Sequence, residues 1–197
     1  MEQIDQPLNE RESLQIIEAM IKTAKKRIHN NGFDFMLWGW LVFISAIICY
    51  LIITIYGRPD YAGLPWAFLM PLGAIVSIIH NIRRAKREKV KTYIGQFLKY
   101  VFIAFGVTLA IIGCFAGILK LSTYPLIMLT YGGTLFICGG ALKFSPLLIG
   151  GIINWIIAIV SFFLTFEQQL LAISVAVLMG YIIPGHIMQY KFKNEAV

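Results

Sequence analysis

Residues 35–57 read FMLWGWLVFISAIICYLIITIYG, a run of 23 residues without one Asp, Glu, Lys or Arg. A helix needs about 20 apolar residues to cross a hydrocarbon core roughly 30 Å thick, so this stretch has the length of one crossing. Five more charge-free windows follow, at 61–82, 100–119, 121–142, 144–166 and 168–190. Core helices of a soluble protein would carry a charged outer face, and these carry none. Barrel strands would be about half as long and would alternate. The windows predict an all-α polytopic membrane protein whose six transmembrane helices fill residues 34–190.

Composition agrees. Only 14% of the 197 residues are charged and 58% are hydrophobic, against about 25% charged in soluble domains. The net charge of +7 reports orientation in such a chain rather than an anionic partner. With a cytoplasmic N-terminus, the inner segments hold 15 of the 17 Lys and Arg, and the outer loops hold Arg58 and Lys120. The positive-inside rule then predicts that both termini are cytoplasmic. The main anchor is HNIRRAKREKVK, residues 80–91, where Arg83, Arg84, Lys86, Arg87, Lys89 and Lys91 stand against Glu88 alone. These side chains also suit anionic lipid headgroups of the cytoplasmic leaflet, each contributing about 1 kcal/mol near such a surface. No stacking aromatics interleave them, which argues against a nucleic-acid partner.

Residues 1–33 form a cytoplasmic segment and 191–197 a short cytoplasmic tail. Within the first, residues 9–31 read as an amphipathic helix. Asn9 and Glu12 have capping-box spacing, and Leu14, Ile17, Ile21, Ala24 and Ile28 recur on one face. Gly32 is the expected C-cap. Such a helix lies on the inner leaflet, or docks a partner or a second copy; both readings stay open.

The runs ESLQIIEAMI (12–21), NGFDFMLWGWLVFI (31–44) and IPGHIMQYKFK (183–193) resemble a family of small uncharacterised bacterial inner-membrane proteins. That family has six spans, an amphipathic N-terminal helix, an LWGW-type first span and an IPG in the last. The resemblance implies an inner-membrane location and carries over no functional residue.

No charged residue falls inside a window, which argues against a proton-coupled pump. Asn154 is the strongest polar group at mid-depth. Gly151, Ala158, Ser161 and Thr165 continue its face at helical spacing. The stripe Gly151, Asn154, Ser161, Thr165 is either helix–helix glue or the lining of a path. Two small-residue seams, Gly106–Ala110–Gly113–Gly117 in the third window and Gly132, Gly133, Gly139, Gly140 in the fourth, predict close packing between spans. Pro71 and Pro184 interrupt helical hydrogen bonding and read as structural kinks, with local unwinding of the last span at Pro184-Gly185 beside His186 the alternative.

There is no paired-carboxylate motif, GxSxG, HExxH or phosphate loop. Cys49, Cys114 and Cys138 read as packing residues, and no Cys or His spacing suits a metal. No cofactor, metal or enzymatic activity is expected. The leading expectation is a non-enzymatic scaffold, accessory or regulatory membrane component that acts through lipid or partner contacts, self-association included. The alternative is a small transporter or channel for a neutral or hydrophobic solute.

Overall fold

The computed structural model describes residues 10–87 and 93–194, with side chains at 32–83, 86 and 94–190. The described residues are helical almost throughout and contain no strand. Helix α1 is Glu10–Thr54, α2 Leu64–Arg87, α3 Tyr93–Cys114, α4 Thr123–Leu142, α5 Ser145–Ser161 and α6 Phe166–Val177. A π-helical turn, Leu178–Ile182, joins α6 to α7, Ile183–Asn194. Together α6 and α7 make the sixth span. The chain is an all-α polytopic membrane protein.

Among the described residues, five stretches are long and apolar enough to cross a membrane: Gly32–Thr54, Pro59–Arg83, Ile94–Cys114, Ala116–Leu142 and Phe166–Tyr190. α5 has only 17 residues, or about 26 Å, at the short end of a crossing. Its neighbours give its direction. A side chain at Gly132 would meet Gly151 and Trp155, and one at Gly139 would meet Leu147 and Leu148, so α5 runs antiparallel to α4. Gly150 abuts Gly180 and Asn154 reaches Ala176, so the sixth span returns along α5. Gly39 abuts Tyr181 and Ile182 while Gly32 lies beside Gly185, so α1 is antiparallel to the sixth span. The start of the first span and the end of the last therefore lie at one end of the bundle. The centre is α1, α4, α5 and the sixth span; α2 packs chiefly on α1, and α3 chiefly on α4.

Several local expectations change. Helix α1 runs unbroken through Gly32, so that glycine is no C-cap; it is where α7 crosses close by, near Gly185 and Met188. The amphipathic stretch is thus continuous with the first span. Asn9 and the side chains of the predicted apolar face lie outside the described residues. The third window ends early, at Cys114, and a short helical turn, Ala116–Leu119, and a 3-10 turn, Lys120–Ser122, lead into α4. The last span does not unwind at Pro184-Gly185. Proline cannot donate to the carbonyl one turn back, and the chain absorbs this as the π turn immediately before it. After α4, Lys143 takes a left-handed conformation with φ 50°. The Phe144 N–H then reaches the Gly139 carbonyl at 2.9 Å, a 6→1 closure that satisfies the helix end.

Five rings tie the bundle at the level of the π turn. Phe102 of α3 meets Phe35 of α1, Phe35 meets Tyr181, Tyr181 meets Tyr131 of α4, and Tyr131 meets Phe105 of α3, with centroids 5.3–5.9 Å apart. Each such pair adds about 0.5–1.5 kcal/mol beyond burial, and the circuit holds the first half of α3 to the centre. The stretches that hold LWGW and IPG run side by side here, because Gly39 lies against Tyr181 and Ile182 and Gly185 against Met36.

Candidate functional site: a buried polar spine and a half-buried carboxylate

The stripe on α5 faces inward. Gly151, Asn154, Ala158 and Ser161 are all buried. Asn154 is fully buried, and its Nδ2 donates to the Gly150 carbonyl at 2.8 Å and to the Ala176 carbonyl at 3.0 Å. The second bond crosses from α5 to α6. Gly180 makes room for it, since a Cβ there would lie 2.3 Å from Asn154 Nδ2. Near the other end of α5, Ser161 Oγ lies 4.0 Å from Met128 Sδ. Thr165 does not continue the stripe. The helix has ended at Ser161, and Thr165 is an exposed cap of α6 whose backbone N–H donates to Gln168 Oε1 at 3.1 Å.

Gln169 completes the spine and was not singled out from the sequence. It is fully buried. Its Nε2 donates to the carbonyls of Leu121 (2.9 Å), Ser161 (2.9 Å) and Leu164 (3.3 Å). One side chain thus fastens the connection before α4 to the turn after α5. A polar residue four positions past a helix-capping Thr was the available signal, but only the tertiary fold supplies the three carbonyls.

Three buried oxygens near the spine, Asn154 Oδ1, Gln169 Oε1 and the Tyr181 hydroxyl, have no hydrogen-bond partner among the described residues. A buried hydroxyl without a partner costs about 1–3 kcal/mol. Tyr181→Phe should therefore leave the thermal unfolding midpoint unchanged or raise it. A clear fall would mean that this oxygen holds a partner the ring circuit depends on.

The predicted glycine seams divide sharply. Gly132 and Gly139 of α4 are packed against α5, but an added Cβ at Gly133 or Gly140 would meet nothing within 4 Å. On α3, Gly106 and Gly113 likewise face open space, with Ala110 exposed between them, as does Gly117 in the turn that follows. The expected close packing of the third span through this seam is overturned. α3 is held through its opposite face, where Leu98 and Ile112 are buried. A groove of about 290 Å³ opens between α3 and α4, lined by Val101, Thr108, Gly133 and Ile137 among others. The Thr108, Thr130 and Thr134 hydroxyls along it each donate to a carbonyl of their own helix, so its surface is apolar.

A second polar cluster escaped the window count. Asp34 immediately precedes the charge-free window 35–57, and it is half-buried against α2. Ser77 Oγ donates to Asp34 Oδ1 at 3.1 Å, and Asn81 Nδ2 lies 3.3 Å from Oδ2 and 3.5 Å from Oδ1. Asn81 also donates to the Ser77 carbonyl at 2.9 Å. Beside them His80 stacks on Phe33, with centroids 4.2 Å apart. Of the basic anchor, Arg83 and Lys86 are exposed; Lys89, Lys91 and the side chains of Arg84 and Arg87 lie outside the described residues. Cys49 and Cys138 are buried as packing residues, but Cys114 is exposed. Among the described residues no group of His, Cys, Asp and Glu could hold a metal ion.

The chain matches no protein-family model, no curated protein and no solved structure. Fold and site therefore define a class: a multi-pass helical membrane protein whose deepest amides fasten helices together.

Proposed function

We propose that this chain is a non-enzymatic scaffold, accessory or regulatory component of a bacterial inner membrane, acting through partner or lipid contacts. One observation carries the reading. The single amide at mid-depth, Asn154, is fully buried with its Nδ2 bonded to two backbone carbonyls, one of them on the neighbouring span. A group so engaged is helix-fastening rather than path-lining. The outward face of α3 and the groove beside α4 offer a surface for contacts within the bilayer. The positive-inside distribution supports cytoplasmic termini, with Arg83, Arg84, Lys86, Arg87, Lys89 and Lys91 against anionic headgroups.

Asn154→Leu should lower the stability of the purified protein by about 1–2 kcal/mol, the worth of a hydrogen bond between membrane helices plus imperfect repacking. Thermal unfolding in detergent measures it. An equal or higher midpoint would sink the fastening reading and favour the competing one, a small transporter or channel for a neutral or hydrophobic solute. That alternative loses support from Thr165, which stands off the stripe. Mild crosslinking that repeatedly captures neither a protein partner nor a second copy would count against the partner half of the proposal.

A further inference from the structure

At one end of the bundle α2 is tied to α1 through Asp34, Ser77 and Asn81. The same register, carried toward the opposite end, brings two further polar groups face to face. Ser45 stands eleven residues after Asp34, and Trp66 eleven residues before Ser77. Eleven residues are about three turns in either helix, so both side chains return to the contact face at one depth. Leu41 and Gly73 meet on that face in between.

Ser45 is fully buried. Its Oγ and the buried Trp66 Nε1 both lack a hydrogen-bond partner among the described residues, and every side chain from 32 to 83 and from 94 to 190 is described. A hydroxyl on a helix commonly turns back onto the carbonyl four residues earlier. Ser174 does so onto Leu170, and Thr108, Thr130 and Thr134 do likewise. Ser45 makes no such bond. Cys49, one turn on from Ser45, and Tyr124 of α4 close the site. Their thiol and hydroxyl face the Trp66 indole, and the Trp66 and Tyr124 rings stand 5.9 Å apart. Neither brings an acceptor into line with the indole N–H. Three helices thus gather one N–H, two O–H and one S–H, none of them charged. The indole can only donate, whereas each hydroxyl donates or accepts. Such a set takes a small neutral molecule that does both.

We infer that Ser45, Trp66 and Tyr124 hold a single internal water that bridges α1, α2 and α4. Its oxygen accepts from Trp66 Nε1, and it donates to Ser45 Oγ and Tyr124 Oη. Three bonds are the usual number for a buried water among groups that have no other partner. The consequence is mechanical. Among the described residues, the other side-chain hydrogen bonds from α2 to the bundle all end on Asp34. The water gives the far end of this peripheral helix a second polar tie. The site is independent of the partner and lipid contacts proposed above, and its failure leaves that reading untouched.

The test uses the full chain carrying isotope-labelled tryptophan in lauryldimethylamine oxide, a detergent without hydroxyl groups. The probe is the solvent water itself, read by nuclear magnetic resonance. The Trp66 indole hydrogen should give a rotating-frame Overhauser cross-peak to the water line, opposite in sign to chemical exchange. The Trp155 indole, bonded to the Leu129 carbonyl at 3.2 Å, is the internal control and should give none. No such peak at Trp66, or a peak to detergent alkyl hydrogens in its place, overturns the site, and neither result needs a variant to fold. Trp66→Phe identifies the resonance. Ser45→Ala, Trp66→Phe and the two together are then unfolded thermally. Ser45→Ala should lower the midpoint by about 2–4 °C, the shift of one lost hydrogen bond in a chain of this size. The double variant should lose less than the sum of the singles, because both act on one shared occupant. An unchanged or higher midpoint for Ser45→Ala overturns the bridge, since deleting a bare orphan hydroxyl does no harm. Strict additivity overturns it as well.

Discussion

Gly151→Ala should lower the thermal unfolding midpoint of the purified protein, and Gly133→Ala should not. The chain holds three adjacent glycine pairs, 132–133, 139–140 and 150–151, which look alike on paper. In the structure, a Cβ at Gly151 would lie 2.8 Å from the Gly132 carbonyl oxygen and 2.9 Å from the Phe136 nitrogen. Those are backbone atoms on a facing helix, so no side chain can swing away and α4 and α5 must separate. Overpacking of this kind costs about 1–3 kcal/mol, and it would be felt along a contact that is the most extensive in the bundle. Gly150 is equally confined, against the Cα of Gly180 at 2.8 Å. At Gly133 and Gly140 the space is open, and alanine gains about 0.5–1 kcal/mol of helix propensity over glycine. Equal effects at 133 and 151 in a differential scan would show that α4 and α5 do not approach as described.

Gln169→Leu should be the most damaging polar substitution. It removes one group that donates to three carbonyls on two connections. At about 0.5–1.5 kcal/mol per bond the loss is about 2–3 kcal/mol. Gln169→Met fills a similar volume without an N–H, so it should lose a similar amount, which separates the donor from the packing. Unfolding midpoints of both variants in one detergent decide the matter. A Met variant as stable as the native chain would show that the side chain acts by filling space. The Asn154→Leu effect should be smaller, because a single inter-helix bond is at stake.

The architecture was legible because crossing a hydrocarbon core requires a length, and charge-free windows measure length directly. The same count could not place helix ends. Arg58 and Glu167 bound windows by charge, while α1 stops at Thr54 and α5 at Ser161. The inward face of α5 was legible in part, since an amide cannot sit unpartnered in lipid. The seam on α3 was misread for a related reason: glycine is indifferent to lipid or helix, so spacing alone cannot say which side meets a neighbour. Asp34 was set aside as a boundary marker. A charge count treats a carboxylate as the end of a span, whereas Ser77 and Asn81 draw it into the contact between α1 and α2. Gln169 stayed hidden because one acceptor, Leu121, is 48 residues away, and the other two, Ser161 and Leu164, are offered only by the fold of the turn after α5.

The antiparallel pairing of α1 with the sixth span bears on how the molecule is made. As the chain leaves the ribosome, the first span enters the membrane with its best neighbour still unsynthesised. Gly39, Phe35 and Met36 wait against lipid until Tyr181, Ile182 and Gly185 arrive. The hairpin of α1 and α2 can form early, through Asp34 with Ser77 and Asn81, and so can that of α4 and α5. The ring circuit closes only at the end, when the last span is laid between them. The centre of this bundle is thus a late event in biosynthesis, and a chain cut short before its sixth span is left as hairpins without a keystone.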